Sequence, residues 1–283
     1  MEDETGKIPS ICKRYGQKMK IKNKTLRIIA SDFDGTLMRE ASVTYSDAES
    51  IKIWQKKGNL FGLVTGRDLY AAKKAAERAA EISLDFIICC SGAYMLDSDG
   101  KCVWSNTADT SRLPELTDFI LKRNPLWLSR SCGMEMLGIP TGLNSRYKAG
   151  QTDETGRLYV TPENFSHGSG FNIIHTAFEN AENAELYTNQ INSLFGDYIT
   201  AYRNEQCVDI PCAGAGKSQS LRALSEIYQI PYSAITPIGD NYNDIDMIKD
   251  FNGCAVSSGK DDVKSAASAV YDDIAGLIYA LLS

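Results

Sequence analysis

The segment Leu26-Arg27-Ile28-Ile29-Ala30-Ser31-Asp32-Phe33-Asp34-Gly35-Thr36 joins an apolar run directly to two carboxylates that are separated by one residue. The apolar run predicts a buried β-strand. Residues two apart in an extended segment project to the same side, so we expect Asp32 and Asp34 to lie together at the carboxyl end of this strand. Neighbouring carboxylates repel each other, and a divalent cation would relieve that repulsion. Oxygen ligands of this kind suit Mg2+ better than zinc, so the segment predicts half of a metal site.

The length and composition limit the class of protein to which the chain can belong. The chain has 283 residues, of which 43% are hydrophobic and 23% charged, and its formal net charge is -6. This length favours about two domains. No segment approaches the roughly 18 continuous apolar residues of a membrane span, and an acidic chain lacks the broad basic face that nucleic-acid binding needs. We therefore expect a soluble globular protein that binds neither membranes nor nucleic acid.

The cysteines and the first residues bear on localisation. The 8 cysteines include no C-x-x-C pair and no Cys/His cluster of zinc-finger spacing. Residues 1–25 are polar, with a basic second half, and lack the apolar stretch of a secretory signal. These features predict reduced thiols in a cytoplasmic protein with an N-terminal extension outside the fold.

Short apolar runs alternate with helical segments along much of the chain. Leu60–Val64 and Phe86–Cys89 are such runs, and Ser46–Glu49 has the spacing of a capping box that would begin a helix between the first two strands. This alternation of strands and helices predicts a parallel sheet with covering helices. It stops near residue 95 and resumes at about 206, where Cys207–Ile210 is apolar again. We expect an α/β core formed by residues 26–94 and 206–283, interrupted by an insert of residues 95–205.

Polar residues collect where these runs end, which is where ligands bind to parallel sheets. The four clusters are Asp32 with Asp34, the triplet Thr65-Gly66-Arg67, Lys217 at the start of a helix, and Gly239-Asp240-Asn241-Tyr242-Asn243-Asp244.

Gly214–Ser218 imitates a nucleotide-binding P-loop, but Pro211 stands where the first glycine would be. The P-loop interpretation therefore fails.

In this order, the four clusters resemble the signature motifs of the haloacid dehalogenase-like (HAD) superfamily of phosphohydrolases. The insertion between Thr65 and Lys217 and the GDNYND form of the last cluster resemble the Cof-type branch, subclass IIB. The resemblance implies a Rossmann-like, doubly wound parallel-sheet core with an inserted α/β cap domain of the C2 type. It also implies a Mg2+-dependent phosphatase that hydrolyses a small phosphorylated metabolite, such as a sugar phosphate, through an aspartyl phosphate.

The resemblance assigns roles residue by residue. Asp32 would be the nucleophile and Asp34 the general acid and base. Thr65 and Lys217 would hold the phosphoryl oxygens. The metal ligands would be Asp32, the backbone carbonyl of Asp34, Asp240 and Asp244. The expected substrate-binding residues, which lie in the same loops, are Gly35, Gly66, Arg67, Ser91, Gly92 and Asn243. Ser91 stands where Cof-type relatives often have asparagine, and Asn243 would orient Asp240 or Lys217.

Other functions stay open from the residues alone. A phosphomutase or phosphotransferase would use the same aspartyl phosphate, and a non-catalytic phosphate-binding regulator could share the fold. The intact set of acids, lysine and threonine argues against the regulator. His167 and His175 match no metal motif, and we expect them at the surface or in the core. Basic residues of the insert are candidates for binding an anionic substrate, namely Arg130, Arg146, Lys148 and Arg157.

Overall fold

The structure, a computed structural model, describes residues 26–168 and 170–283. The expected N-terminal extension, residues 1–25, lies outside the described residues. Within the described part, the strands form two sheets. The helices are α1 (Tyr45–Lys56), α2 (Leu69–Arg78), α3 (Leu113–Leu121), α4 (Pro162–Phe165), α5 (Ala181–Phe195), α6 (Lys217–Tyr228), α7 (Ile245–Asp250), α8 (Asp261–Ala266) and α9 (Ile274–Leu282).

The first sheet has eight strands, and the strand that precedes Asp32 lies in its middle. In spatial order the strands are β14 (Ala269–Tyr271), β13 (Cys254–Val256), β12 (Ile235–Gly239), β1 (Ile28–Ser31), β2 (Leu60–Val64), β3 (Phe86–Cys89), β4 (Tyr94–Asp97) and β5 (Cys102–Ser105). The strands from β14 to β3 are parallel, whereas β4 and β5 form an antiparallel hairpin at one edge. The expected parallel α/β sheet is confirmed.

Helices cover both faces of this sheet. Ile29 of β1 belongs to a buried apolar cluster with Trp54 of α1 and Leu277 of α9. Its neighbour Ile28 belongs to a second buried cluster with Leu221 of α6. Successive side chains of a strand point to opposite faces, so a strand buried on both faces has a continuous apolar sequence. The uninterrupted run before Asp32 therefore follows from a doubly wound sheet.

The second sheet is formed by the inserted part of the chain. Its six strands, in spatial order, are β10 (Tyr202–Asn204), β11 (Cys207–Pro211), β9 (Ile173–Ala177), β6 (Trp127–Cys132), β7 (Glu135–Ile139) and β8 (Leu158–Tyr159). Neighbouring strands are antiparallel except for β7 and β8. A third buried cluster, which includes Leu116 of α3 and Ile191 of α5, packs against this sheet.

Three strands lie in the other sheet from the one that the expected insert, 95–205, would give them. The hairpin of β4 and β5 extends the first sheet, because β4 pairs antiparallel with β3 directly after a tight turn. Strand β11 pairs with β9 in the second sheet instead of resuming the first. We propose that the insert spans about residues 106–212, between the end of β5 and the end of β11.

In the described part of the chain, no helix combines the length and the apolar composition that crossing a membrane would require.

Asp47 connects the first and last helices of the core. The α1 N-cap is Thr44, which accepts a hydrogen bond from the Asp47 amide, so the helix begins ahead of the predicted Ser46. The fully buried Asp47 carboxylate accepts hydrogen bonds from Arg39 Nη2 at 2.5 Å and Thr44 Oγ1 at 2.9 Å. It also accepts one from the Ala275 amide of α9 at 2.9 Å. A buried carboxylate with several donors is stabilising only while all partners stay in place.

Replacing Asp47 with alanine should therefore destabilise the fold strongly. Asp47→Ala leaves the buried Ala275 amide without this acceptor and removes the carboxylate that pairs with the mostly buried guanidinium of Arg39. We expect the free energy of unfolding to fall by about 3 kcal/mol. Urea denaturation followed by circular dichroism measures this. The matched control is Glu49→Ala in the same helix. Glu49 forms an exposed ion pair with Lys52, so this variant should have little effect. Equal losses for the two variants would contradict this role of Asp47.

Candidate functional site

The carboxyl ends of three adjacent parallel strands bring the predicted clusters to one edge of the first sheet. β1 pairs with β2 on one side and with β12 on the other. Asp32 directly follows β1, Thr65 directly follows β2, and Asp240 directly follows β12. Parallel strands carry their carboxyl ends to the same edge, so this convergence follows from the topology.

Lys217 is buried at this edge between two carboxylates. Its Nζ donates hydrogen bonds to Oδ1 of Asp32 and to Oδ1 of Asp244, each at 2.6 Å. Burial alone would lower the pKa of the Lys217 ammonium, but the attraction of Asp244 and Asp32 outweighs it and raises the pKa above its ordinary value. The ammonium therefore stays charged and holds both acids in place.

Asp244 also folds the loop that contains the last cluster. Its Oδ2 accepts hydrogen bonds from the amides of Asp240 and Asn241, both at 3.0 Å. A Cβ at position 239 would lie 2.4 Å from Cγ of Asp244, so only glycine fits there. Both oxygens of Asp244 thus have protein donors, and the residue positions Lys217 and Asp240 at the same time.

Three carboxylates form an acidic cluster beside Lys217. One oxygen from each of Asp32, Asp240 and Asp244 lies within 4.8 Å of the others. Oδ1 of Asp240 accepts a hydrogen bond from Thr36 Oγ1 at 2.8 Å. A Cβ at position 35 would lie 2.5 Å from Oδ2 of Asp240, and Gly35 has φ of 86°, so this tight approach requires glycine.

The electrostatics of the cluster fit a cation. Burial raises the pKa of Asp32 well above its ordinary value; Lys217 lowers it, while Asp244 and Asp240 raise it further. Burial also raises the pKa of Asp240 to about 6, with hydrogen bonding to Thr36 opposing the shift and repulsion from Asp244 adding to it. Closely spaced, oxygen-only ligands with unfavourable mutual repulsion are the donor set that a hard divalent cation prefers. The cluster could hold such an ion.

The Asp34 carboxylate is not one of the three carboxylates of the acidic cluster and pairs with Arg67. Arg67 Nε and Nη2 donate to the two oxygens of Asp34 at 2.7 Å each. The guanidinium lies 5.3 Å from the ring centre of Phe33. Asp34 is 57% exposed, so the carboxylate faces the space in front of the site. Arg67 was expected beside the substrate, and in this structure its partner is a predicted catalytic acid.

The loop after β3 packs against the backbone directly before Lys217. Gly92 has φ of 94°, and a Cβ there would lie 2.1 Å from the carbonyl oxygen of Gly216, the residue before Lys217. Gly92 was expected to bind substrate, but the structure places it against the backbone at the start of α6, where the absence of a side chain permits close packing. Ser91, also left-handed at φ of 49°, places Oγ at 3.4 Å from Oδ2 of Asp209.

A cleft of about 570 Å³ opens in front of these residues, between the two sheets. The predicted site residues that line it are Asp32, Asp34, Thr65, Gly66, Arg67 and Asn243. The opposite wall comes from the insert and includes Trp127, Ser129, Asn144, Arg157, His175 and Asp209. Of the four basic candidates of the insert, Arg157 lines the cleft. The Arg130 guanidinium instead donates to the carbonyls of Gly170 and His167. Behind the cleft, Thr36 donates a hydrogen bond to Asp240, and Lys217 donates hydrogen bonds to Asp32 and Asp244.

Sequence reasoning missed three residues of the site. Thr36 follows Gly35 directly, and its hydroxyl in an apolar surrounding is the signal that could have found it. Asp209 is a carboxylate inside the apolar run of β11, which is an equally informative pattern. His175 was expected at the surface or in the core, but it lines the cleft, where its Nδ1 lies 2.8 Å from Oδ1 of Asp209.

Comparisons with known proteins agree with this geometry. The family model described as haloacid dehalogenase-like hydrolase matches residues 29–276. The 5-amino-6-(5-phospho-D-ribitylamino)uracil phosphatase YcsE of Bacillus subtilis is 23% identical over 249 residues, which cover 87% of this chain and 90% of the relative.

Solved structures show the same fold. A haloacid dehalogenase-like hydrolase from B. subtilis has a TM-score of 0.76 at 21% identity, and the match covers 90% of this chain and 99% of that one. A HAD subclass IIB sugar phosphatase has a TM-score of 0.72 at 18% identity, with 90% and 98% covered. The family match extends over nearly all of the described residues and includes every predicted cluster. The chain belongs to the haloacid dehalogenase-like hydrolase family.

Proposed function

We propose that this protein is a Mg2+-dependent phosphatase that hydrolyses a small phosphomonoester through an aspartyl phosphate on Asp32. The observation that carries the proposal is the Lys217 ammonium, held 2.6 Å from Asp32 at the edge of a cleft where three carboxylates converge. The names of the relatives support the substrate class: one is a phosphatase of a phosphorylated ribityl compound, and another is a sugar phosphatase. A sugar or polyol phosphate is therefore the proposed substrate.

Asp32 is the proposed nucleophile. Lys217 fixes Oδ1, which keeps the carboxylate in one orientation at the base of the cleft. In the first step, an oxygen of Asp32 forms a bond to phosphorus while the bond from phosphorus to the leaving oxygen breaks. In the second step, water attacks the same phosphorus, inorganic phosphate leaves, and the carboxylate of Asp32 is restored.

Asp34 is the proposed general acid and base, and Arg67 controls its availability. The acid must give a proton to the leaving oxygen and then take one from the attacking water. Arg67 holds both Asp34 oxygens at 2.7 Å, so the guanidinium engages the carboxylate before the substrate binds. An incoming phosphate group attracts the same guanidinium, so binding of the substrate weakens the pair and frees Asp34 beside the leaving group.

Thr65 and Lys217 are the proposed ligands of the phosphoryl oxygens. Thr65 is buried at the end of β2, and its Oγ1 accepts a hydrogen bond from the Arg67 amide at 3.2 Å, which orients the hydroxyl. Gly66 follows and also lines the cleft, and its lack of a side chain would let its amide approach the phosphate closely. Donors fixed before the reaction stabilise the charge that develops on the phosphoryl group.

Asp32, the Asp34 carbonyl and Asp240 would hold Mg2+, with Asp244 supporting Asp240 from the other side. When bound, the ion neutralises charge on the carboxylates and on the phosphoryl oxygens. The protein groups carry out the proton transfers and the covalent step.

Replacing Asp32 with asparagine should abolish the activity. We expect Asp32→Asn to reduce kcat with p-nitrophenyl phosphate by at least about 1,000-fold, because the amide is a poor nucleophile. Phosphate release measures this, and an acid quench followed by intact-mass analysis should detect a phosphorylated chain in the wild type alone.

The matched control is Asp99→Asn in the exposed turn after β4, which should have wild-type activity. Undiminished turnover by Asp32→Asn would remove Asp32 from the nucleophile role. Conversion of a sugar phosphate into its isomer, without release of inorganic phosphate, would instead favour a phosphomutase.

Mg2+ should stabilise the protein more at pH 7.5 than at pH 5. The pKa values of Asp32 and Asp240 are raised in the folded protein, so these groups stabilise the fold while they are protonated. That stabilisation is lost as the pH rises through their pKa values in the folded protein, and that of Asp240 is about 6. Above this range the ionised cluster repels itself, and a cation relieves the repulsion. The increase of Tm on adding Mg2+, measured in both buffers against a chelator, checks the prediction.

Asp240→Asn is the control for this experiment, and it should lose most of the increase of Tm at pH 7.5. An increase that is equal at both pH values, or unchanged in Asp240→Asn, would contradict binding of the cation at this cluster.

A further inference from the structure

A polar row crosses the second sheet on the face that lines the cleft. Asp209 of β11 is directly opposite His175 of β9, and His175 is directly opposite Ser129 of β6. All three residues line the cleft, together with Arg157. Directly opposite residues on neighbouring strands have their Cβ atoms about 5 Å apart, so the row is one continuous surface.

His175 has one nitrogen bound to the protein and one without a partner. Its Nδ1 lies 2.8 Å from Oδ1 of Asp209, which fixes the orientation of the ring. Its Nε2 is buried and has no hydrogen-bond partner among the described residues. A buried polar atom without a partner costs free energy, and a ligand that supplies the missing hydrogen bond explains why such an arrangement is kept.

The position of this pair places it next to the reacting phosphate. Oδ2 of Asp209 lies 3.4 Å from Ser91 Oγ, and a Cβ at position 66 would lie 2.6 Å from the same oxygen. Asp209 therefore packs against the core loop that contains Thr65 and Gly66. His175 lies beside this junction of core and insert, where the first atoms of a leaving group would meet the cleft wall.

The charges of the cleft favour an uncharged leaving group. The positive groups of the insert wall are paired with carboxylates: His175 with Asp209, and Arg157 Nη1 with Asp153 at 3.6 Å, although Arg157 Nε is buried without a hydrogen-bond partner among the described residues. The core side adds Asp68, whose carboxylate accepts the Ala71 amide at the start of α2. Burial lowers the pKa of His175, but Asp209 more than offsets this, so the pKa is raised and both ring nitrogens donate over a wider pH range. A second phosphate or carboxylate would lie close to Asp209 and Asp68, and the Arg157 guanidinium, which Asp153 already neutralises in part, would offset that repulsion incompletely.

We propose that His175, oriented by Asp209, selects the leaving group by donating a hydrogen bond from Nε2 to a hydroxyl of an uncharged, polyhydroxylated chain. The proposal rests on the phosphatase function proposed above. It adds a specificity-determining residue on the insert and, within the proposed class of sugar and polyol phosphates, a preference for monophosphates over bisphosphates.

The test compares a substrate that carries hydroxyl groups with one that has none. In His175→Ala, we expect kcat/KM for ribitol 5-phosphate to fall roughly 10- to 100-fold, the effect of losing one hydrogen bond to a substrate hydroxyl. The value for p-nitrophenyl phosphate should change by less than about twofold, because that leaving group has no hydroxyl for His175. Asp209→Asn should shift the same ratio in the same direction, by a smaller factor.

The matched control is His167→Ala. His167 is the other histidine of the insert, it is exposed, and its Nδ1 contacts the Glu163 carbonyl away from the cleft lining. This variant should keep both kcat/KM values. If His175→Ala does not fold, His175→Gln preserves most of the side-chain volume and should shift the ratio in the same direction.

Bisphosphates provide a second test of the proposal. Fructose 1,6-bisphosphate should have at least about tenfold lower kcat/KM than fructose 6-phosphate in the wild type, because of the unbalanced charge. An equal fall for both test substrates in His175→Ala, no fall at all, or a preference for the bisphosphate would overturn the inference. Failure of the proposed function looks different: the wild type would release no phosphate from any of these esters.

Discussion

The ammonium of Lys217 is the interaction on which the rest of the site depends. Burying several carboxylates within 4.8 Å of one another is strongly unfavourable unless positive charge accompanies them. Lys217 supplies that charge from the first turn of α6 and contacts Asp32 after β1 and Asp244 after β12. Asp244 then fixes the backbone on either side of Asp240. One cation thus links three elements that are far apart in sequence.

The two sheets contribute to the site in different ways. The core presents fixed groups at strand ends, each held by hydrogen bonds to other parts of the core, such as Thr36 to Asp240. The insert contributes the opposite wall of the cleft, which faces the strand ends of the core. Function belongs to such sites more than to folds, so relatives that share this core can differ in substrate through the insert alone.

The local sequence was sufficient to predict the core and the clusters of the site. The uninterrupted apolar run before Asp32 indicates a strand buried on both faces, and the strand-end rule brings Asp32, Thr65 and Asp240 together. The assignment of β5 and β11 to a sheet could not be predicted, because a short alternating run does not reveal which strand it pairs with. The same limit hid His175 and Asp209, which become neighbours only through the register of two antiparallel strands. The close approach of Gly92 to Gly216 could not be predicted, because the two residues are distant in sequence.

The most direct test of the central claim is a crystal structure of the protein with Mg2+ and beryllium fluoride, which mimics a phosphoryl group on a carboxylate. The account predicts beryllium fluoride bonded to an oxygen of Asp32, Mg2+ in contact with Asp32 and Asp240, and Lys217 still between Asp32 and Asp244. Beryllium fluoride on another residue, or Lys217 turned away from both acids with Mg2+ bound elsewhere, would contradict it.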